Sequence, residues 1–192
     1  MSAVLFENVT LFDGLKAETP DGISVLVEGD TIKEVSDKAI KAGGAQKIDG
    51  KGKTLMPGMI DAPVHVYVES LKIQPPDPPI SYRAHLAQRF LRHILACGFT
   101  TVRDVGGGDV GIAMALRDGF FVGPRFIYGG YCLSQTGGHG DLRAPHHPGD
   151  VCCGCGALTN VVGVIADGVD DCMKAVREEL RKGASHIKIM GS

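Results

Sequence analysis

The chain has 192 residues, 44% of them hydrophobic, with 20 Lys and Arg against 22 Asp and Glu for a net charge of -2. That length and apolar fraction support a buried core over one or two domains, while a near-neutral balance without long runs of either sign argues against nucleic acid or an anionic membrane surface as partner. No window approaches the roughly 20 apolar residues of a membrane span, and Met1 to Asn8 lacks the charged start and apolar run of a signal peptide, so the expected compartment is the cytoplasm.

Short strands separated by turn residues come first. Val4 to Phe6, Val9 to Phe12 before Asp13-Gly14, Ile23 to Val27 before Glu28-Gly29-Asp30, and Thr31 to Val35 all read this way. Residues 1–58 are therefore expected to form a small, sandwich-like antiparallel β module. The turn-rich stretch 49–58, Asp-Gly-Lys-Gly-Lys-Thr-Leu-Met-Pro-Gly, marks its boundary.

From Met59 onward strand and helix patterns alternate, the signature of βα units and a parallel sheet. Met59 to Val68 reads as the first strand. Ser81 to Cys97 reads as a helix whose Leu86, Phe90, Leu91, Ile94 and Leu95 share a stripe and whose stop signal is Gly98. Phe99 to Val105 is the second strand, Asp109 caps a helix ending near Asp118-Gly119, and Arg125 to Leu133 is the third strand. After a long insertion, Asp170 or Asp171 is expected to cap a helix with Met173, Val176 and Leu180 on one face and Glu178 paired with Lys182. His186 to Met190 is the fourth strand.

The expected fold is thus α/β: residues 59–192 form about the first four βα units of a partial (β/α)8, TIM-like barrel, preceded by the β module. A doubly wound open sheet fits the same order of elements. It is disfavoured because no Gly-x-Gly-x-x-Gly follows the first strand, and Gly106-Gly107-Gly108 is too short a signal for a dinucleotide site. Two parallel-strand edges would stay open in a half barrel, so the chain is expected to need a missing C-terminal half or to form a homo-oligomer.

Six cysteines are too few for a disulfide scaffold in a chain of this composition. Cys97, Cys132 and Cys172 lie in apolar segments and are read as small buried hydrophobes. Cys152, Cys153 and Cys155 crowd a Gly-rich stretch, but a closed zinc site takes four ligands, normally from two separated pairs. They are read as surface thiols.

Met56-Pro-Gly-Met-Ile-Asp-Ala-Pro-Val-His-Val resembles the signature of the amidohydrolase superfamily, Pro-Gly-x-Ile-Asp-x-His-x-His, at the end of the first barrel strand. Two histidines at i and i+2 share one side of a strand and can bind one metal. Here His65 matches the second histidine, while Pro63 stands in place of the first and cannot coordinate. Gly58 and Asp61 match as structural positions. Gly98-Phe-Thr-Thr-Val-Arg-Asp-Val-Gly-Gly, Leu133-Ser-Gln-Thr-Gly-Gly-His-Gly-Asp and Gly183-Ala-Ser-His-Ile-Lys-Ile-Met resemble the family's second strand, third-strand loop and fourth strand. Together they are closest to the imidazolonepropionase-like branch, with its prolidase-like dipeptidases acting on N-acyl or Xaa-amino-acid substrates.

The resemblance implies a divalent-metal hydrolase, with zinc as the family-level metal and up to two ions in a complete member. Manganese, cobalt and iron suit the same ligand types. His65 and Lys188 become the metal ligands. Lys188 points away from the face that Ile187 and Ile189 share, into an interior costly for an ammonium. In related enzymes a lysine at this position forms a carbamate that bridges two metal ions, which removes the charge. His139, Tyr67 and Arg143 are candidates for contact with a small amide or dipeptide substrate. His85, His93, His146, His147 and His186 are read as ordinary side chains, and Arg103 with Asp104 as a structural ion pair. The resulting expectation is a metal-dependent amidohydrolase, incomplete over this span. The alternatives are a non-catalytic relative that has lost the first-strand metal pair, or a half barrel working as an oligomer.

Overall fold

A computed structural model describes residues 2–68, 78–141 and 162–191. Arg143, His146, His147, Cys152, Cys153 and Cys155 lie outside the described residues. The chain divides into two units, Met1–Pro57 and Gly58–Ser192.

In the first unit, β1 (Ala3–Leu11), β2 (Ile23–Glu28) and β3 (Thr31–Ser36) form an antiparallel meander. Two short strands, β4 (Gln46–Asp49) and β5 (Thr54–Leu55), then run parallel to β1. The module is therefore a mixed sheet of order β3-β2-β1-β4 with β5 also on β1, not an antiparallel one. All four β4 residues are exposed and show no alternation, so its direction left no mark in the residue pattern. Val4–Phe6 and Val9–Phe12 belong to one strand interrupted by a bulge, because pairing moves from Phe6–Val25 to Val9–Ile23. The extra residue lets Asn8 adopt φ 56°, a left-handed conformation that asparagine tolerates. Leu5, Leu26 and Ile40 pack on one side of the sheet, and Val9, Ile23 and Val25 form a second cluster.

In the second unit, β6 (Met59–Val64), β7 (Phe99–Asp104) and β8 (Arg125–Tyr128) are adjacent and parallel. Helix α1 (Ile80–Ala96) joins the first two and buries Arg83, Ala87, Leu91 and Ile94, which lie on one stripe at helical spacing. Leu91 has no exposed surface and packs with Val64, Val66 and Val102, a burial that contributes about 1.5–3 kcal/mol. Gly98 ends the helix at φ 93°, where a side chain would be strained. Helix α2 (Val110–Arg117) starts as expected: Asp109 is its N-cap and accepts the Ile112 N–H.

The third strand departs from expectation. It breaks at Gly129-Gly130 into β8 and β9 (Cys132–Ser134). A Cβ on Gly130 would collide with the Glu179 carboxylate, and Gly130 has φ 69°, so the break needs a residue without a side chain. Beyond it, β9 has neighbours on both sides. The unexpected strand β10 (Gly163–Ile165) pairs with it in parallel. On the other side the Leu133 N–H donates to the Lys188 carbonyl at 2.8 Å and Leu133 accepts from the Met190 N–H at 2.8 Å. The fourth strand is thus present as a single parallel bridge, Leu133–Ile189.

Helix α3 (Gly168–Arg181) begins ahead of Asp170 and Asp171, with Asp167 at the N-cap. Asp167 does not bond the helix; its carboxylate takes the N–H and hydroxyl of Thr136 at 3.0 and 2.5 Å. Asp170 and Asp171 occupy the first turn instead, where negative charge suits the helix dipole. The expected apolar face is only partly covered, since Met173 is 43% and Leu180 50% exposed. Glu178 lies 3.8 Å from Lys182 but bonds Arg181 more closely, at 2.7 and 2.8 Å. The second unit is accordingly a mixed α/β fold, consistent with part of a TIM-like barrel.

Candidate active site

His65 follows β6 directly. Its neighbours Val64 and Val66 are buried against α1, and alternation along the strand turns His65 to the opposite face. The ring Nδ1 lies 3.3 Å from the Gly106 carbonyl. That carbonyl only accepts, so the contact is a hydrogen bond in the neutral tautomer that carries its proton on Nδ1, and in that tautomer Nε2 keeps the lone pair.

Asp104, with no exposed surface, sits at the end of β7. Its Oδ2 accepts the Val66 N–H at 2.7 Å, and its Oδ1 accepts the N–H groups of Gly106 and Gly108 at 2.9 Å each. Burial pushes this carboxyl above its ordinary range, while the three backbone donors and nearby His65 pull it down. The expected ion pair with Arg103 is not formed. Consecutive strand residues face opposite ways, Arg103 is exposed, and backbone donors take up the carboxylate.

Pro63 is exposed and lies where β6–β7 pairing skips from Asp61 to Val64; its ring nitrogen has neither a proton for the ladder nor a lone pair for a metal. Asp61 is half-buried, and a Cβ on Gly58 would overlap the Thr100 side chain.

Lys188 is half-buried beside β9. Its charge lowers the proton affinity of the neighbouring Cys132 thiol, which burial raises by more. Among the described residues no carboxylate pairs with the Lys188 ammonium. The strands are parallel, so His65 and Lys188 both belong to their C-terminal ends, the end where barrel enzymes build their sites.

His139 is exposed on a tight loop, in which Gly140 N–H donates to Ser134 Oγ at 3.0 Å and Gly137 N–H to Asp141 Oδ2 at 2.8 Å. Tyr67 is only 5% exposed. Its hydroxyl donates to Asp109 at 3.1 Å and its carbonyl accepts from Arg83 at 3.2 Å. Burial, then Asp109, push its phenol far above the ordinary value. Tyr67 therefore braces the α2 N-terminus from within the core. His186 packs over Gly129 with Nε2 buried and unpartnered among the described residues. Of the three cysteines expected to be buried, only Cys132 is; Cys172 is half-buried, and Cys97, at the C-cap of α1, is exposed.

Two residues of this site escaped the sequence reading. Asp104 and Gly106 form Asp-x-Gly, in which an aspartate bonds the N–H two residues on; that short signature was the available signal.

The profile of the amidohydrolase family matches residues 54–192. The chain belongs to the amidohydrolase family. It is 37% identical over 150 residues to ochratoxinase of Aspergillus niger, a match covering 72% of this chain and 31% of that protein. A crystal structure of an amidohydrolase superposes with TM-score 0.86 at 41% identity, over 98% of this chain and 46% of that one. A prolidase complexed with N-methylphosphonate-L-proline superposes with TM-score 0.87 at 35% identity, over 98% and 46%. The chain thus spans less than half the length of these relatives.

Amidohydrolases generally use divalent metals. Two side chains here bear on this: His65, with Nδ1 on a backbone carbonyl, and Lys188, which pairs with no carboxylate among the described residues. Among the described residues no three His, Cys, Asp or Glu side chains stand close enough to hold a metal ion, and Pro63 adds no donor. The described residues therefore present no complete metal site.

Proposed function

We propose that this amidohydrolase is a metal-dependent hydrolase of amide-type C–N bonds, with a dipeptide or N-acyl amino acid as substrate. The observation that carries the reading is His65, held at the end of β6 with Nδ1 on the Gly106 carbonyl, a contact that turns Nε2 over to a ligand in the matching tautomer. The likeness to a prolidase that holds a proline phosphonate supports the substrate class. His65 and Lys188 would hold a divalent ion, zinc by preference, which would supply a Lewis acid for water and the scissile carbonyl.

The chain's own residues then have distinct tasks. His65 would offer Nε2 to the metal, its ring tethered through Nδ1 to the Gly106 carbonyl. Lys188 reacts as the neutral amine with carbon dioxide, forming an N–C bond and releasing a proton; the resulting carbamate replaces a half-buried cation with an anionic ligand. His139, exposed on its Gly-rich loop, reaches the substrate from the rim.

Release of free amino acid from a panel of Xaa-Pro dipeptides and N-acyl amino acids, with zinc, manganese or cobalt supplied, tests the proposal. Hydrolysis of at least one substrate, falling to background in His65→Ala and Lys188→Ala, is expected. A folded protein that binds such substrates without cleaving them would instead favour the non-catalytic reading that Pro63 suggests.

A further inference from the structure

We infer that Asp104 is a positioning residue for His65, acting through the backbone of Gly106 and Val66. The inference rests on the reading of His65 as a metal ligand. A fully buried carboxylate is costly to keep unless its oxygens are satisfied, and the donors it has among the described residues are backbone N–H groups. The Val66 N–H, in the residue directly after His65, donates to Oδ2 at 2.7 Å. The Gly106 and Gly108 N–H groups converge on Oδ1 at 2.9 Å each. One side chain thereby ties the peptide that carries His65 to the turn that receives its ring.

The turn itself has little freedom left. The Gly107 N–H lies in the same peptide plane as the Gly106 carbonyl and donates to the Gly130 carbonyl at 3.0 Å. With all three glycine N–H groups engaged, the Gly106 carbonyl is aimed at His65 Nδ1. The ring also lies against the Gly106 Cα, because a Cβ there would come within 2.9 Å of Nδ1 and 3.0 Å of Cε1. Asp104 and Gly106 together select the Nδ1–H tautomer and leave Nε2 as the donor atom. This is a backbone-relayed form of the support that metal-ligating histidines receive through their second nitrogen.

The test is the tautomer of His65 in the metal-free chain, read by long-range proton–nitrogen correlation in histidine-labelled protein at about pH 8.5, two units above the pKa of a free imidazole. The wild-type chain is expected to show Nδ1–H. Asp104→Asn places a side-chain donor against N–H donors, and Gly106→Ala wedges a methyl against the ring; both are expected to shift His65 to Nε2–H or a mixture. Leu5→Ala, a core truncation in the first unit, is expected to lower the melting temperature and leave the tautomer alone. Zinc affinity is expected to fall by about 10–100-fold in Asp104→Asn and Gly106→Ala. An unchanged tautomer in folded Asp104→Asn would overturn the inference; should that variant not fold, an unchanged tautomer in Gly106→Ala would do so. A shifted tautomer with unchanged zinc affinity would uphold the positioning of His65 and overturn its reading as a ligand.

Discussion

Tyr67, one of the candidate substrate contacts, has its polar atoms engaged inside the fold. Its hydroxyl is committed to Asp109, and its ring lies in the core. Tyr67→Phe should lower stability by about 1 kcal/mol, the net worth of one such hydrogen bond, and leave metal content unchanged. Denaturant unfolding and metal analysis of the variant check both; a loss of metal would place Tyr67 in the site after all. His65 and Lys188 were singled out by the resemblance of their segments to the family's first and fourth strands, and their roles as metal ligands are the proposal made above. Tyr67 was harder to place, since sequence shows that a tyrosine follows His65 by two residues but not that Asp109 awaits its hydroxyl. Asp104 was misread for the same reason: Arg103 is its neighbour in sequence, whereas its true partners are backbone N–H groups from two strand ends.

Among the elements, those with a continuous apolar period were legible and those closed by local detail were not. Helix α1 matched its expected limits to within a residue because Leu91 and Ile94 recur at helical spacing and Gly98 stops the turn. Strand β10 was missed since three residues, Gly163–Ile165, carry no period. In α3 the expected Glu178–Lys182 pair exists but is outcompeted by Arg181, whose planar fork takes both carboxylate oxygens. The Arg181 hydrogen bonds hold the Glu178 carboxyl down at about 2. A lowered carboxylate pKa stabilises the fold above the ordinary value, near 4.5, and that contribution fades as pH falls toward 2. Both partners are solvent-exposed, so the effect on overall stability is small. Carbon-13 titration of the Glu178 carboxyl should give a midpoint near 2 that returns to the ordinary carboxylate range in Arg181→Ala; an ordinary midpoint in the wild type would mean the pair does not persist in solution.

On the scale of the whole molecule, alternation of strand and helix announced the parallel α/β unit, and the four family motifs fall in order along it. The mixed sheet of the first unit was less legible because β4 and β5 run parallel to β1 through short, exposed strands. The open face between β9 and α3, where Val169, Met173 and Ile189 are exposed, follows from burial that depends on what packs there rather than on local pattern. The chemistry depends on whether His65 and Lys188 act on one metal centre at the shared end of the parallel strands. The direct test is zinc content of the purified chain by plasma mass spectrometry, alongside His65→Ala and Lys188→Ala. Near-stoichiometric zinc, lost in both variants, is the predicted result; metal content indifferent to both substitutions would contradict it.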